Sequence, residues 1–519
     1  MGQWMEGFVS RLEGIRKASL EGGGPERIEI QHGLAKLTVR ERIDRLFDPG
    51  TFQQLGTLVV EQQEVMTRAE DIKKKSPCDG VVIGFGKVGG KKVAVYATDF
   101  TVMSGSIGDQ GAWMIADMIA MAGKMRIPLI AMYDSAGMRG TFKNGRPGYD
   151  GVGRILKNHS LYSGVIPQIG LLLGPCTGIM AYAPVLCHLL IMNEKTSFLW
   201  LGGDKKSDMG GGALQHMTEA GQCDFLVQND EEAIDKAKEL LNFLPQNCWE
   251  KTPYRQTDDP PDRKEEDLLD VMPDDPRYTY DVHEIINRIV DDGYYLELKK
   301  DYANHFIMGF CSLGSRIAGL VANNPDEMSG IFEPDSSDKY DRFMNFLDAF
   351  NIPLVTLSDT TAFVPGDSWE RKGVIRHGAK LLHTYARFTA PKVTMVLRRS
   401  YGGGNIVMGA HGMTPDLIYS WPTAEFAPTG PQQAVQTIFH KELKAAKDAG
   451  NYEEVHDRLL AQLIEEFSVM TCAKVWTTHY TVHEVIDPRE TRPTLCKAIE
   501  ALEDKEERLP ENRRSIKPA

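Results

Sequence analysis

No run of about 20 apolar residues occurs in the 519-residue sequence, which excludes an apolar helix crossing a membrane. No Cys-x-x-Cys pair occurs either. The eight cysteines, at positions 78, 176, 187, 223, 248, 311, 472 and 496, are scattered, which argues against a zinc ribbon or a disulfide framework and for reduced thiols in a cytoplasmic protein. The chain also lacks a Gly-x-Gly-x-x-Gly between strand and helix, a Walker phosphate loop, a Gly-x-Ser-x-Gly elbow and a His-Glu-x-x-His pair. These absences set aside Rossmann dinucleotide binding, P-loop chemistry, α/β-hydrolase chemistry and zincin chemistry. Positive charge is in deficit. With 59 Lys and Arg against 72 Asp and Glu the formal net charge is −13, so no nucleic-acid surface is expected and an anionic ligand must be met by local cations. Glu6 and Arg11 interrupt the stretch where a secretory core would lie. His377 and His383, six apart, have the wrong spacing to share a metal on one helix, and no metal site is expected.

What is present is a repeat. Ile127-Pro128-Leu129-Ile130-Ala131-Met132-Tyr133-Asp134 returns 225 residues later as Ile352-Pro353-Leu354-Val355-Thr356-Leu357-Ser358-Asp359. Each phrase is an apolar run ending in a small, polar turn, which reads as a buried strand delivering a loop to a site. Gly84-Phe85 returns as Gly309-Phe310 at the same offset, and Pro167 to Gly178 is matched by Pro391 to Gly402 at an offset of 224. A duplicated α/β domain is the simplest account. The boundary is expected in the Pro- and Asp-rich stretch, giving an N-terminal domain at 1–250, a connector at 251–276 and a C-terminal domain at 277–519.

Along the chain, Phe8, Val9, Leu12 and Ile15 have helical spacing, and Gly22-Gly23-Gly24-Pro25 ends that helix. Thr38 with Glu41 three residues on predicts a capped helix stopped by Pro49-Gly50, its Arg and Asp residues forming a solvated or subunit-facing side. Val81 to Ala97 reads as a hairpin about Gly89-Gly90, followed by a helix from about 108 to 124. A Gly-rich loop is expected through Gly153, then a helix to about Ser163. Strand-turn-helix follows at 169–178. Val282 to Val290 reads as a helix, and 431–446 and 452–467 as two long ones. The last dozen residues read as a partly disordered tail.

The candidate chemistry lies in main-chain groups. Gly178 with Ile179, and Gly403 with Gly404, each follow an apolar strand and open a helix, where glycine permits positive φ and close approach of a ligand. Amides at such a position carry partial positive charge and suit an oxyanion. Gly-rich turns serve equally often as structural turns. Two more loops offer amides, Ser135-Ala136-Gly137-Met138-Arg139 and Asp359 to Asp367, the latter including Ala362-Phe363-Val364-Pro365-Gly366. Cys176 reads as a buried, inert thiol.

With these residues in view, the sequence resembles the carboxyltransferase (β) subunits of biotin-dependent acyl-CoA carboxylases of the propionyl-CoA and methylcrotonyl-CoA type. The resemblance runs over about residues 35–500. It rests on Leu37 to Pro49, Asp79-Gly80-Val81-Val82, Gly174-Pro175-Cys176, Phe346 to Leu354, Ile375 to Leu382, Tyr401-Gly402-Gly403, Trp421 to Glu425 and Val485 to Arg492. It implies two tandem crotonase-like (ClpP/crotonase) domains and a homohexamer whose active site is shared between the N-terminal domain of one subunit and the C-terminal domain of its neighbour.

By resemblance the Gly178 and Ile179 amides hold the thioester oxyanion, and those of Gly403 and Gly404 the biotin oxyanion. Ser135, Ala136, Gly137, Arg139, Asn405 and Ile406 fall on the acyl-CoA side, and Ala362, Phe363, Val364, Pro365 and Gly366 on the biotin side. The sequence departs from the family pattern at Ile179, where a second glycine is usual, and at Gly404-Asn405-Ile406, where the acyl chain is selected. Asp359-Thr360-Thr361 and Lys444 to Gly450 look instead like the glutaconyl-CoA decarboxylase α subunit. No Met-Lys-Met biotinyl site occurs, so biotin is expected on a partner: a biotin carboxyl carrier with its biotin carboxylase subunit, or membrane decarboxylase subunits. A sodium-pumping decarboxylase α subunit, a crotonase-type hydratase and a catalytically silent assembly scaffold are the other readings.

Overall fold

The computed structural model describes residues 2–60, 76–139, 149–202, 211–275, 278–477, 481–512 and 514–518. The chain forms two compact units, Met1–Lys251 and Thr252–Ala519.

The first unit is built on an eight-stranded mixed sheet: β1 (Gln53–Leu55), β2 (Val81–Val88), β3 (Lys91–Thr98), β4 (Leu129–Ser135), β5 (Gln168–Thr177), β6 (Leu189–Asn193), β7 (Phe198–Trp200) and β8 (Phe225–Val227). The order is β1-β2-β3-β4-β5-β6-β8, with β7 beside the end of β5. The β1-β2 and β2-β3 pairings are antiparallel, and those from β3 through β8 are parallel. Parallel strands are covered on both faces, hence the apolar run Leu129 to Met132, fully buried, in place of an alternating pattern.

The second unit repeats the plan with β9 (Leu296–Glu297), β10 (Phe306–Leu313), β11 (Arg316–Asn323), β12 (Leu354–Thr360), β13 (Lys392–Tyr401), β14 (Leu417–Ser420), β15 (Glu425–Ala427) and β16 (Glu484–Val485), ordered β16-β14-β13-β12-β11-β10-β9 with β15 beside β13. Strands β10, β11 and β12 begin 225 residues after β2, β3 and β4, and β13 begins 224 after β5. Two tandem α/β units related by duplication are therefore what the chain adopts.

Several local readings hold at atomic detail, and others do not. Thr38 and Glu41 make a reciprocal capping box on the helix Val39–Leu46. That helix is not simply solvated on its charged side, because Arg42 is 1 % exposed. The glycines of 151–153 lie inside the helix Tyr149–Leu161 and not in a loop. A β-carbon on Gly151 would stand 2.6 Å from that of Ala112, so glycine lets this helix close on Asp109–Met125. The part of the expected loop at 140–148 lies outside the described residues. The stretch predicted as one helix from Pro431 is two, Pro431–Ile438 and His440–Ala449, broken at Phe439 (φ −106°, ψ 25°), and the third is Tyr452–Thr477. The Pro- and Asp-rich segment after Lys251 packs on the second unit. Arg492, wholly buried, donates to the carbonyls of Pro260 and Ile289 and pairs with Asp291 at 2.8 Å. No helix among the described residues is long and apolar enough to cross a membrane.

A buried polar chain runs through the first core. The Tyr96 hydroxyl lies 2.5 Å from the Tyr133 hydroxyl and 2.8 Å from Nε2 of His159, whose Nδ1 lies 2.6 Å from the Gln168 amide oxygen. Burial lowers the His159 pKa to about 4. A folded pKa below the unfolded value of 6.5 means that the unfolded chain binds the extra proton between these two values. Stability from this group is thus full above pH 6.5 and is lost as pH falls towards 4, by about 3 kcal/mol. Unfolding midpoints of the wild type should fall over that window, and H159Q should flatten the dependence; a slope unchanged by H159Q would assign the acid sensitivity to other groups.

Candidate functional site

In each unit the duplicated phrase ends in a buried carboxylate facing a bulge. Tyr133 pairs with Leu172 but Ser135 pairs with Cys176, so two extra residues of β5 are accommodated opposite Asp134. In the second unit Ser358 pairs with Val396 and Thr360 with Ser400, and Asp359 sits opposite the same irregularity in β13. Both carboxylates are fully buried and must be paired.

The two copies solve this differently. The first bulge contains Gly174-Pro175, and a β-carbon on Gly174 would fall 1.9 Å from Asp134 Oδ1, so the carboxylate occupies that space. Its cations come from the N-terminal segment: Lys36 Nζ at 2.8 Å and Arg42 Nη2 at 3.0 Å, with Gln31 Nε2 at 3.0 Å. Arg42 also reaches Asp230 at 2.7 Å. Burial opposes its charge, but Asp134 and Asp230 outweigh that and hold its pKa above the ordinary arginine value. The second bulge carries its own cations. Arg398 Nε donates to Asp359 Oδ2 at 3.1 Å and Arg399 Nε to Oδ1 at 2.8 Å, with the Tyr280 hydroxyl at 3.0 Å. None of these cations stood out in the sequence; the signal was an aspartate ending each repeated strand, which requires a buried counter-charge.

Past the bulges the strands end in the predicted turns. Thr177 leads into a short 3₁₀ helix, Gly178–Ala181, with Gly178 at φ +66°. Tyr401 leads into Gly402–Val407, with Gly402 at φ +52°. Neither helix has a side-chain cap, and first-turn N–H groups have no carbonyl partner in their own helix. The Gly178, Ile179, Gly403 and Gly404 amides all lie in that turn. A β-carbon on Gly178 would meet nothing within 4 Å, so its main chain is open to approach. On Gly403 it would stand 3.2 Å from the Phe363 ring, and on Gly404 2.8 Å from Thr360 Cγ2. In fold position Gly178 matches Gly402, so the second pair is displaced by one residue along its helix.

The two flanking loops are also equivalent. Ile107 bridges Met138, its N–H donating to the Gly137 carbonyl at 2.9 Å, while the Arg139 N–H returns to Ile107 at 2.8 Å. Phe332 bridges Phe363 225 residues later, with bonds to Ala362 and from Val364. Before each bridge stands a Met-Ser-Gly turn, 103–105 and 328–330, with all three residues at positive φ. This repeat, at the same offset, was missed in the sequence.

Against the expectation that the 135–139 loop offers free amides, those of Ala136, Gly137 and Arg139 are taken by the Ser104 carbonyl, the Ser135 hydroxyl and the Ile107 carbonyl. Arg139 does not face outward. Its guanidinium is buried on Asp79 and donates to the Ser106 carbonyl at 2.7 Å. Ser135, Ala136 and Gly137 instead brace the Gly178 turn, since the Thr177 hydroxyl donates to the Ala136 carbonyl at 2.8 Å.

In the second unit Asn405 accepts from the Ser400 hydroxyl at 2.7 Å, and Ile406 is 42 % exposed on the outer face of its helix. Phe363 lies between Gly378 and Gly403, Val364 is buried, and Pro365 and Gly366 are exposed. Thr361, Ala362 and Pro365 line a cavity of about 480 Å³, together with Arg398, Arg399 and Tyr401. The Tyr401 hydroxyl donates to Glu425, also on this cavity, and burial followed by the Glu425 charge raises its pKa. Burial likewise pushes the Cys176 thiol up, so it stays protonated. His377 is spent on Asp338 at 2.8 Å. No cluster of three metal-ligating side chains occurs among the described residues.

Residues 30–516 match the family model described as a carboxyl transferase domain. The chain is 36 % identical over 519 residues to the propionyl-CoA carboxylase carboxyltransferase subunit of Haloferax mediterranei, covering 98 % of each chain. It is 36 % identical over 500 residues to the methylmalonyl-CoA decarboxylase α subunit of Propionigenium modestum, covering 94 % of each. Among solved structures it superposes on transcarboxylase 12S, described as a hexamer assembly with methylmalonyl-coenzyme A and methylmalonic acid bound, with a TM-score of 0.91, 35 % identity and 99 % of each chain covered.

Proposed function

The chain belongs to the carboxyl transferase domain family, and from that membership we propose that it moves a carboxyl group between biotin on a carrier protein and the α or vinylogous carbon of an acyl-CoA. It is a biotin-dependent acyl-CoA carboxyltransferase subunit made of two tandem crotonase-like domains. The observation that best supports the mechanism is the pair of uncapped strand-to-helix turns, each opened by a glycine at positive φ, at matching places in the two units.

Biotin, when bound, supplies a ureido nitrogen that gives up or takes the carboxyl group. The residues of this chain handle the charge. The Gly178 and Ile179 amides hold the thioester oxygen as the acyl group becomes an enolate, and those of Gly403 and Gly404 hold the urea oxygen. Each such donor contributes about 3 kcal/mol at the transition state. Ser135, Ala136 and Gly137 keep the first turn in place. Ile406, with Asn405 behind it, borders the acyl chain. Ala362, Phe363, Val364, Pro365 and Gly366 form the biotin side, with Phe363 seated against Gly403. The working assembly is a homohexamer in the cytoplasm with a biotin carboxyl carrier and a biotin carboxylase subunit.

Equal identity to a methylmalonyl-CoA decarboxylase α subunit favours a second reading, the same transfer run towards biotin for membrane decarboxylase subunits. Both require exchange of label between carboxyl-labelled methylmalonyl-CoA and biotin or a biotinylated carrier. The purified protein should catalyse that exchange without ATP. Absence of exchange with methylmalonyl-, malonyl- and glutaconyl-CoA would defeat both and leave an assembly scaffold. Turnover of an enoyl-CoA without biotin would indicate a hydratase.

A further inference from the structure

The two turns are walled differently. Strand register sets Thr177 beside Trp200 and Tyr401 beside Ala427, so one residue further on Gly178 is flanked by Leu201 and Gly402 by Pro428. In the second unit a β-carbon on Gly402 would stand 2.9 Å from the Pro428 carbonyl oxygen, and main chain closes over that glycine. In the first unit a β-carbon on Gly178 would meet nothing within 4 Å, and Leu201 is 59 % exposed.

A second exposed side chain belongs to the same place. Tyr182 lies four residues after Gly178 and three after Ile179 on the run Gly178–Ala181 and Tyr182–Leu186, so it shares a helix face with both. Helical side chains lean towards the N-terminus and cover the preceding turn, which directs the phenol ring back towards the Gly178 amides. Met180, Ala181 and Ala183 beside it are buried, whereas Tyr182 is 51 % exposed. Neither its ring nor Leu201 comes within 4 Å of where a Gly178 β-carbon would lie, so a gap remains over the turn.

A single exposed apolar side chain needs no explanation. Two that border the same uncapped amides and leave them clear form a site with donors at its floor and apolar walls. A phosphate or a free carboxylate does not suit it, because its remaining oxygens would lose water against Tyr182 and Leu201. A thioester does: its carbonyl oxygen takes the amides, and the sulfur and the methylene groups next to it are apolar.

We infer that Tyr182 and Leu201 contact the acyl-CoA and hold it by the apolar atoms flanking its thioester carbonyl. The inference rests on the reading above that gives the Gly178 and Ile179 amides to the thioester oxygen.

Three probes are titrated into the intact protein and followed by ligand-observed NMR: methylmalonyl-CoA, the methylmalonyl thioester of N-acetylcysteamine, which lacks the nucleotide, and 3′,5′-ADP, which lacks the thioester. Y182A and L201A should each weaken both thioesters by a similar factor, about five- to tenfold, as expected for partial burial of one apolar side chain, and leave 3′,5′-ADP unchanged. Y182F keeps the ring and should bind like the wild type. In label exchange Y182A should raise the KM for methylmalonyl-CoA with little change in kcat, the pattern of lost ground-state binding. Both positions are exposed, and unchanged circular dichroism of the variants shows that folding is intact. Unchanged thioester affinity in both variants overturns the inference. So does a loss confined to 3′,5′-ADP, or an altered subunit association in L201A with thioester binding intact, which would make Leu201 an assembly contact. If the thioesters bind with the expected dependence but no label is exchanged, the carboxyl-transfer reading falls and the thioester contacts stand. If label is exchanged and neither variant alters Kd or KM, the contacts fall alone.

Discussion

Replacing Ile179 by proline should lower the rate of carboxyl transfer by about 10²–10³ while changing the acyl-CoA Kd only a few fold. Ile179 is the second residue of a helix that opens at Gly178, a position whose amide has no helical partner. Proline is tolerated in a first turn because its fixed φ suits the helix and the lost N–H bonds to nothing there. The substitution therefore deletes one donor and little else of the backbone. The side chain is half-buried against the core, so some stability is lost with it. The control is I179G, which sacrifices the same packing but keeps the amide, and it should transfer at close to the wild-type rate. Measured as label exchange at saturating acyl-CoA, a large loss in I179P with little loss in I179G assigns the effect to the main-chain donor. Equal losses in the two variants would mean that the side chain matters and the oxyanion role is wrong.

The repeated Ile-Pro phrase was legible because a parallel strand covered on both faces is written as an unbroken apolar run, and two such runs with the same ending are hard to overlook. The turn after β5 was legible because positive φ forces glycine, at Gly178; after β13 the reading fell one residue late, since the positive φ is at Gly402 and not at Gly403 or Gly404. The Met-Ser-Gly turns were not, since Ser104 and Ser329 hold φ +55° without being glycine, and nothing in composition marks such strain. Nor were the partners of Asp134 and Asp359. Arg42 lies 92 residues from Asp134 in the chain, and a charged residue on a short amphipathic helix gives the same pattern whether it meets water or a carboxylate. The pairing of Arg139 was hidden for a related reason. A cation in a polar loop resembles a ligand contact until Asp79 is seen beneath it. Long-range charge pairing has no period, and so the sequence carries the frame of the site better than its electrostatics.

That electrostatic layer carries the largest effect expected on stability. Asp134→Ala leaves Lys36 and Arg42 buried with Asp230 as their remaining carboxylate, and should destabilise the first unit by about 3–5 kcal/mol. The reason is asymmetry. A buried pair formed from solvated ions gains little, but an ion stripped of its partner cannot recover its hydration. Asp134→Asn keeps two hydrogen-bonding atoms at the same place and should cost less than the alanine. Asp359→Ala should be milder than Asp134→Ala, since Arg399 lines an open cavity and can recruit water or an anion, whereas Arg42 is sealed. Hydrogen exchange localises the damage: D134A should lose protection in β4 and β5 and the helix Val39–Leu46. D359A should lose protection in β12 and β13. Equal destabilisation by D134A and D359A would remove the distinction between a carboxylate that only holds the fold together and one that holds two arginines at a cavity.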